Sequence, residues 1–228
     1  MEFFDNLLFG YYPYIAGTVF LAGSLIRFDM SQYTWKTNSS QIMDSSPRFL
    51  LGNNLFHIGM IFLFFGHLIG LLMPHSWYPY LGLTASSKQI LAMVSGGIFG
   101  ILAAVGGAIL LHRRLTNPRV RAQSSQMDIP ILVILYVQLL LGLLTIPFSA
   151  AHLDGSMMVA LGDWAQRIVT FRPGAVEAVA GVPWVYKLHL FLGLTIFLLF
   201  PFTRLVHIWS APWWYLARSY QIVRQRQS

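Results

Sequence analysis

Seven histidines, at positions 57, 67, 75, 112, 152, 189 and 207, are the side chains here best suited to chemistry. Four of them fall in two apolar runs. His57 and His67 stand ten residues apart in "LFHIGMIFLFFGHLIG" (55–70), and His189 and His207 eighteen apart in "PWVYKLHLFLGLTIFLLFPFTRLVHIW" (183–209). No Ser–Asp pair or cysteine accompanies the first two, so neither hydrolysis nor a cysteine-bound zinc is indicated. The chain has no cysteine at all, which excludes thiolate-held Fe–S clusters, covalently attached c-type haem and structural disulfides. A zinc ion gathers four ligands, often in H-x₃₋₅-H spacing. Ten helical residues rise about 15 Å, so one ion cannot reach both His57 and His67. Each needs a partner from elsewhere in the chain.

The elements that carry them are membrane spans. The 228 residues are 56% hydrophobic and 10% charged, with mean hydropathy +0.59. That is too apolar for a soluble domain. Crossing a bilayer takes roughly 20 mainly apolar residues, and five stretches qualify, at about 9–28, 50–73, 89–111, 129–147 and 184–208. We therefore expect an all-α, five-span integral membrane protein forming one domain over 1–228. "MEFFDNLLFG" lacks the basic start of a signal peptide, so the first stretch is expected to be an uncleaved span.

The net charge of +7 is a topology signal, and nucleic acid is not an expected partner. Eleven of the fifteen basic residues (Arg27, Lys36, Arg48, Arg113, Arg114, Arg119, Arg121, Arg204, Arg218, Arg224 and Arg226) lie at alternate span ends. Lys88, Arg167, Arg172 and Lys187 lie at the others. The positive-inside rule then puts the N-terminus outside and the C-terminus in the cytoplasm, and the basic edges also suit lipid headgroups or an acidic partner. Trp77, Tyr78 and Tyr80 fit an interface. Gly96 and Gly100 form a G-x-x-x-G step for helix packing, and Gln138, the one amide side chain of span four, suits a bond to a neighbouring helix. Met157, Met158, Leu161, Trp164, Ala165, Ile168 and Val169 recur at helical spacing, as in an amphipathic helix on the outer surface.

This topology pairs the histidines by depth. Span two runs outward and span five inward, so His67 matches His189 near the outside and His57 matches His207 near the cytoplasm. Ionisable groups within a membrane are costly and point to function. Two stacked pairs of opposed imidazoles resemble the axial ligation of two b-type haems. Eighteen residues rise about 27 Å, roughly 12 Å more than the partner spacing, so tilt, slanted haems or a bend at Pro201 has to absorb the difference. On continuous helices His189 and His207 share a face, while His57 and His67 differ by about 80°, so the two planes are not parallel. Gly59, Gly66, Gly70 and Gly193 could admit a flat macrocycle or serve ordinary helix packing. Arg113, Arg114 and Arg204 could pair with propionates or snorkel to headgroups. His75 and His152 sit where a quinol proton acceptor could stand, or are plain interfacial residues. His112 belongs to a basic edge facing headgroups.

The runs "YYPYIAGTVFLAGSLIR", "NLFHIGMIFLFFGH", "RRLTNPRVRA", "LLGLLTIPFSAAHLDGS" and "LHLFLGLTIFLLFPFTRLVHIW" resemble the gamma subunit of respiratory nitrate reductase, a membrane cytochrome b. The resemblance covers nearly the whole chain and both histidine spacings. It implies two b haems, a distal one on His67 and His189 and a proximal one on His57 and His207. It implies that a quinol, menaquinol or ubiquinol, is oxidised near the distal haem, with Lys88 of "SKQILAM" at the quinol site and protons released outside. It further implies an Fe–S beta subunit and a molybdenum catalytic alpha subunit on the cytoplasmic side of a bacterial or archaeal inner membrane. The aromatic and basic segment "SAPWWYLARSYQIVRQRQS", within 209–228, is expected to grip those partners through Trp213, Trp214, Tyr215 and Tyr220. Two rival readings remain at this point: a cytochrome b of a formate dehydrogenase, hydrogenase or sulfur-cycle complex, and a haem-free transporter or assembly protein.

Overall fold

The computed structural model describes residues 2–35 and 46–210, so Lys36, Arg218, Arg224, Arg226 and the tail aromatics Trp213, Trp214, Tyr215 and Tyr220 lie outside the described residues. Among the described residues the regular elements are all helical, and five helices are long and apolar enough to cross a membrane. This is a multi-pass membrane protein. The spanning helices are α1 (Tyr12–Met30), α2 (Pro47–Leu72), α3 (Ala85–Thr116), α4 (Asp128–Ala150) and, after the surface helix α5 (Ser156–Val169), α6 (Trp184–Leu199).

The helix ends follow local chemistry. A reciprocal capping box starts α3: Ser87 N–H donates to Thr84 Oγ1 at 3.0 Å and Thr84 N–H to Ser87 Oγ at 2.8 Å. Asn117 and Pro118 stop it, with the Asn117 side chain accepting from the next short helix. The span is therefore longer than 89–111. A π-helical stretch, Asn6–Tyr11, precedes α1. Pro13 has no N–H to give the carbonyl four residues back, that of Phe9. The buried Trp164 indole Nε1–H donates to Phe9 O instead, at 3.0 Å.

The expected span five is the main correction. The α-helix ends at Leu199, 3₁₀ turns follow over Phe200–Phe202 and Arg204–Ser210, and Thr203 between them is extended (φ −122°, ψ 178°). Pro201 breaks the helix where a bend was one option. The freed carbonyls have a partner: Arg27 Nη1 donates to Pro201 O at 2.7 Å and to Thr203 O at 2.8 Å. The regular helix from His189 to Leu199 rises about 15 Å, as much as His57 to His67. The following eight residues do not continue it, so neither the 27 Å rise nor the shared face expected of one continuous helix from His189 to His207 applies.

Packing places α2 chiefly against α3, and α6 against α4 and α1. The α2–α3 seam is closest at Gly52, Gly59 and Gly106: a Cβ at Gly59 would lie 2.6 Å from Phe99 O, and one at Gly106 2.6 Å from Gly52 O. Of the anticipated G-x-x-x-G step, Gly100 meets Leu143 on α4, while Gly96 faces open space. Helix α5 forms where its apolar spacing predicts. It covers one end of the bundle, in a cluster of Phe9, Trp164, Val179, Val185 and Tyr186. Gly155 starts α5 with φ +86°, and its backbone approaches Ala85 so closely that any Cβ would collide.

Candidate functional site

Helices α2 and α6 lean on other helices, yet their histidines meet across the space between them. The rings of His67 and His189 face each other with centroids 6.0 Å apart and planes inclined by 39°. His67 Nδ1 donates to Leu63 O at 2.7 Å. A carbonyl can only accept, so the proton is on Nδ1 and the Nε2 lone pair is free for a metal. At the other end of α2, His57 Nδ1 donates in the same way to Asn53 O at 2.8 Å. His207 Nδ1 donates to Arg204 O at 2.6 Å within the 3₁₀ turn.

The neighbours of His57 and His207 share one apolar cluster. Phe56 and Met60 beside His57 pack in it with Leu205 and Val206, which precede His207, and with Ile131, Leu135 and Phe200.

The donor set fits two bis-imidazole sites. A metal bonded to two imidazoles at about 2 Å each separates ring centres by roughly 6 Å, the spacing of His67 and His189. Ligating histidines usually give the other ring N–H to a carbonyl or carboxylate, as His57, His67 and His207 do. Among the described residues no three His, Cys, Asp or Glu side chains gather around one point. Gly66 and Gly70 line open space, whereas Gly59 serves α3 packing. Gly193 admits the amide of Gln138, which donates to His189 O at 3.0 Å.

Near the His67 end lies Lys88, buried in the first turn of α3. A cation there opposes the helix dipole and is desolvated, so it needs compensation. Its ammonium donates to Gly70 O at 2.8 Å, a carbonyl in the last turn of α2, and to the Tyr78 hydroxyl. It also lies 4.2 Å from the Tyr78 ring centre. Burial pushes the Tyr78 phenol above its ordinary value, so it keeps its proton at neutral pH. His75 stacks edge-on against Tyr78 at 5.2 Å, with a buried, unpartnered Nε2. It borders two clefts of about 400 and 430 Å³, the first also lined by Asp154 and Asp163. His152 is exposed, its Nδ1 donating to Phe148 O, and His112 is exposed at the opposite end.

The three arginines are placed differently. Buried Arg114 pairs with Asp128 at 3.4 Å and donates to Ser124 Oγ at 2.7 Å. Arg113 lies over the Phe49 ring at 4.5 Å. Arg204 stands three residues before His207 and accompanies it on the 3₁₀ turn. Sequence reasoning missed the roles of Arg27, Asp128 and Gln89. Gln89 is fully buried and ties α3 to Ser149 O (2.9 Å) and His152 O (2.5 Å). A glutamine among apolar residues was the available signal.

Residues 5–226 match the family of the nitrate reductase gamma subunit. The chain is 55% identical over 227 residues to the respiratory nitrate reductase 2 gamma chain of Escherichia coli K12, covering 100% of both. It is 53% identical over 226 residues to the respiratory nitrate reductase 1 gamma chain of that organism, covering 99% of this chain and 100% of that one. To the nitrate reductase gamma chain of Bacillus subtilis it is 36% identical over 221 residues, covering 97% and 98%.

Proposed function

The chain belongs to the nitrate reductase gamma subunit family, and on that premise we propose that it is a dihaem, quinol-oxidising anchor of a respiratory nitrate reductase in a bacterial or archaeal inner membrane. The observation that carries the reading is the facing pair His67 and His189, 6.0 Å apart across two helices that lean on other neighbours.

His67 and His189 hold the distal haem, and His57 and His207 the proximal one. The carbonyls of Leu63, Asn53 and Arg204 keep the Nδ1 proton in place on three of these rings and direct Nε2 to iron. Arg204 is carried three residues before His207 on the same 3₁₀ turn, and so stands where a propionate of the proximal haem would reach it. Bound haem supplies one-electron transfer with a potential set by its axial ligands.

A quinol, menaquinol or ubiquinol, sits at the outer end beside Lys88. The Lys88 ammonium, held by Gly70 O and Tyr78, donates to a quinol oxygen and favours its deprotonation. Protons leave on the outer side, which the distribution of basic residues identifies with the α5 end. Electrons pass to an Fe–S partner and then to a molybdenum subunit in the cytoplasm. The names of the relatives support a nitrate reductase over a formate dehydrogenase or hydrogenase as the parent complex. A quinol analogue added to anaerobic membranes holding the complex should bring up the bands of reduced b haem, and nitrate should bleach them by reoxidation. No b-type signal, or one indifferent to quinol, refutes the proposal.

A further inference from the structure

His189 stands apart from the other three intramembrane histidines. Its Nδ1 is buried and has no partner, and neither has the buried Oε1 of Gln138. The two side chains already touch: Gln138 Nε2 donates to His189 O at 3.0 Å and lies 3.4 Å from His189 Nε2. Two glycines make room for this contact. A Cβ at Gly193, one turn after His189, would lie 3.2 Å from Gln138 Nε2. A Cβ at Gly142, one turn after Gln138, would lie 3.0 Å from His189 Cε1. Each helix thus omits a side chain where the other presents its polar group.

We propose that Gln138 is the positioning residue of His189, giving its Nδ1–H across the α4–α6 contact the acceptor that the other three histidines draw from their own backbone. The inference rests on the haem reading above. Gln138 Nε2 stays on the His189 carbonyl, and a turn of the imidazole about Cβ–Cγ brings Nδ1–H to Oε1. That turn pairs both orphaned atoms and frees the Nε2 lone pair, which the amide otherwise faces at 3.4 Å. An acceptor on Nδ1 fixes the ring plane and makes Nε2 a stronger donor. A stronger donor favours the ferric state and lowers the reduction potential of the haem it serves.

The test is a redox titration of the two b haems in the intact complex, with low-temperature EPR of the oxidised protein. In Gln138→Leu the distal midpoint should rise and its low-spin EPR signal should shift, with the proximal haem unchanged. In Gln138→Glu, which keeps the length and strengthens the acceptor while giving up the donor to His189 O, the distal midpoint should fall. A purely structural role gives no such opposition of sign. Displacement in the same direction in both variants, or in neither, overturns the proposal. If the leucine variant does not retain the distal haem, the glutamate variant decides: retention with a lowered midpoint supports it, and loss overturns it. A wild-type complex without two b haems would overturn the haem reading itself, and this inference with it.

Discussion

Replacing Arg27 by alanine should loosen the proximal site from a distance. Arg27 lies on α1, 174 residues from Pro201, and touches neither His57 nor His207 by hydrogen bond. Its Nη1 nonetheless holds the two carbonyls of the helix break, Pro201 O and Thr203 O, at 2.7 and 2.8 Å. Its Nε and Nη2 donate to Thr34 at 3.3 and 3.2 Å, and Gly23 on the same helix lies against the Pro201 ring. Hydrogen bonds to a charged donor contribute about 1.5–3 kcal/mol each. The guanidinium is only half-buried, so water can replace part of that, and about 3 kcal/mol is a fair total for the pair. That is roughly a hundredfold in the equilibrium between a closed and an open break. The readout is thermal denaturation of the purified complex, with reduced-minus-oxidised spectra followed along the melt. We expect Arg27→Ala to release the proximal haem well before the distal one. Arg27→Lys should keep much of the effect, because one ammonium can serve both carbonyls. An alanine variant that melts like wild type and holds both haems to the same temperature would refute the reasoning.

Two further outcomes follow from other contacts. Lys88→Ala removes a charged donor worth about 1.5–3 kcal/mol, so the KM for quinol should rise roughly 10- to 150-fold with both haems retained, as steady-state kinetics with spectra will show. Trp164→Phe leaves the Phe9 carbonyl freed by Pro13 unpaired in the interior, and should lower stability by about 1–3 kcal/mol, read as a lower melting temperature without a change in haem content.

The five spans were legible because length and hydropathy mark the segments able to cross a bilayer, and the helical spacing of Met157, Leu161, Trp164, Ala165 and Ile168 marked α5. Helix ends were less so: α3 outruns its apolar stretch at both ends because Thr84, Ser87 and Asn117 cap it outside the greasy run. Pro201 signalled a disturbance, but whether a proline bends or breaks a helix depends on what receives the freed carbonyls, and Arg27 is invisible from that segment. The same holds for Gln138, whose partner lies 51 residues on. Gly193 suggested room for a macrocycle, and only the α4–α6 packing assigns that room to an amide. The meeting of His67 with His189 was legible, since alternating basic edges order the spans and so match those two by depth. The helix break between His189 and His207 was not.

The most direct test of the account is the haem content of four single variants, His57→Ala, His67→Ala, His189→Ala and His207→Ala, measured by EPR and pyridine haemochrome in the assembled complex. His67 and His189 should each abolish the same low-spin signal and leave one haem per chain. His57 and His207 should each abolish the other. Selective loss of one and the same haem in the His67 and His207 variants would contradict the pairing, and with it the two-level arrangement on which the account stands.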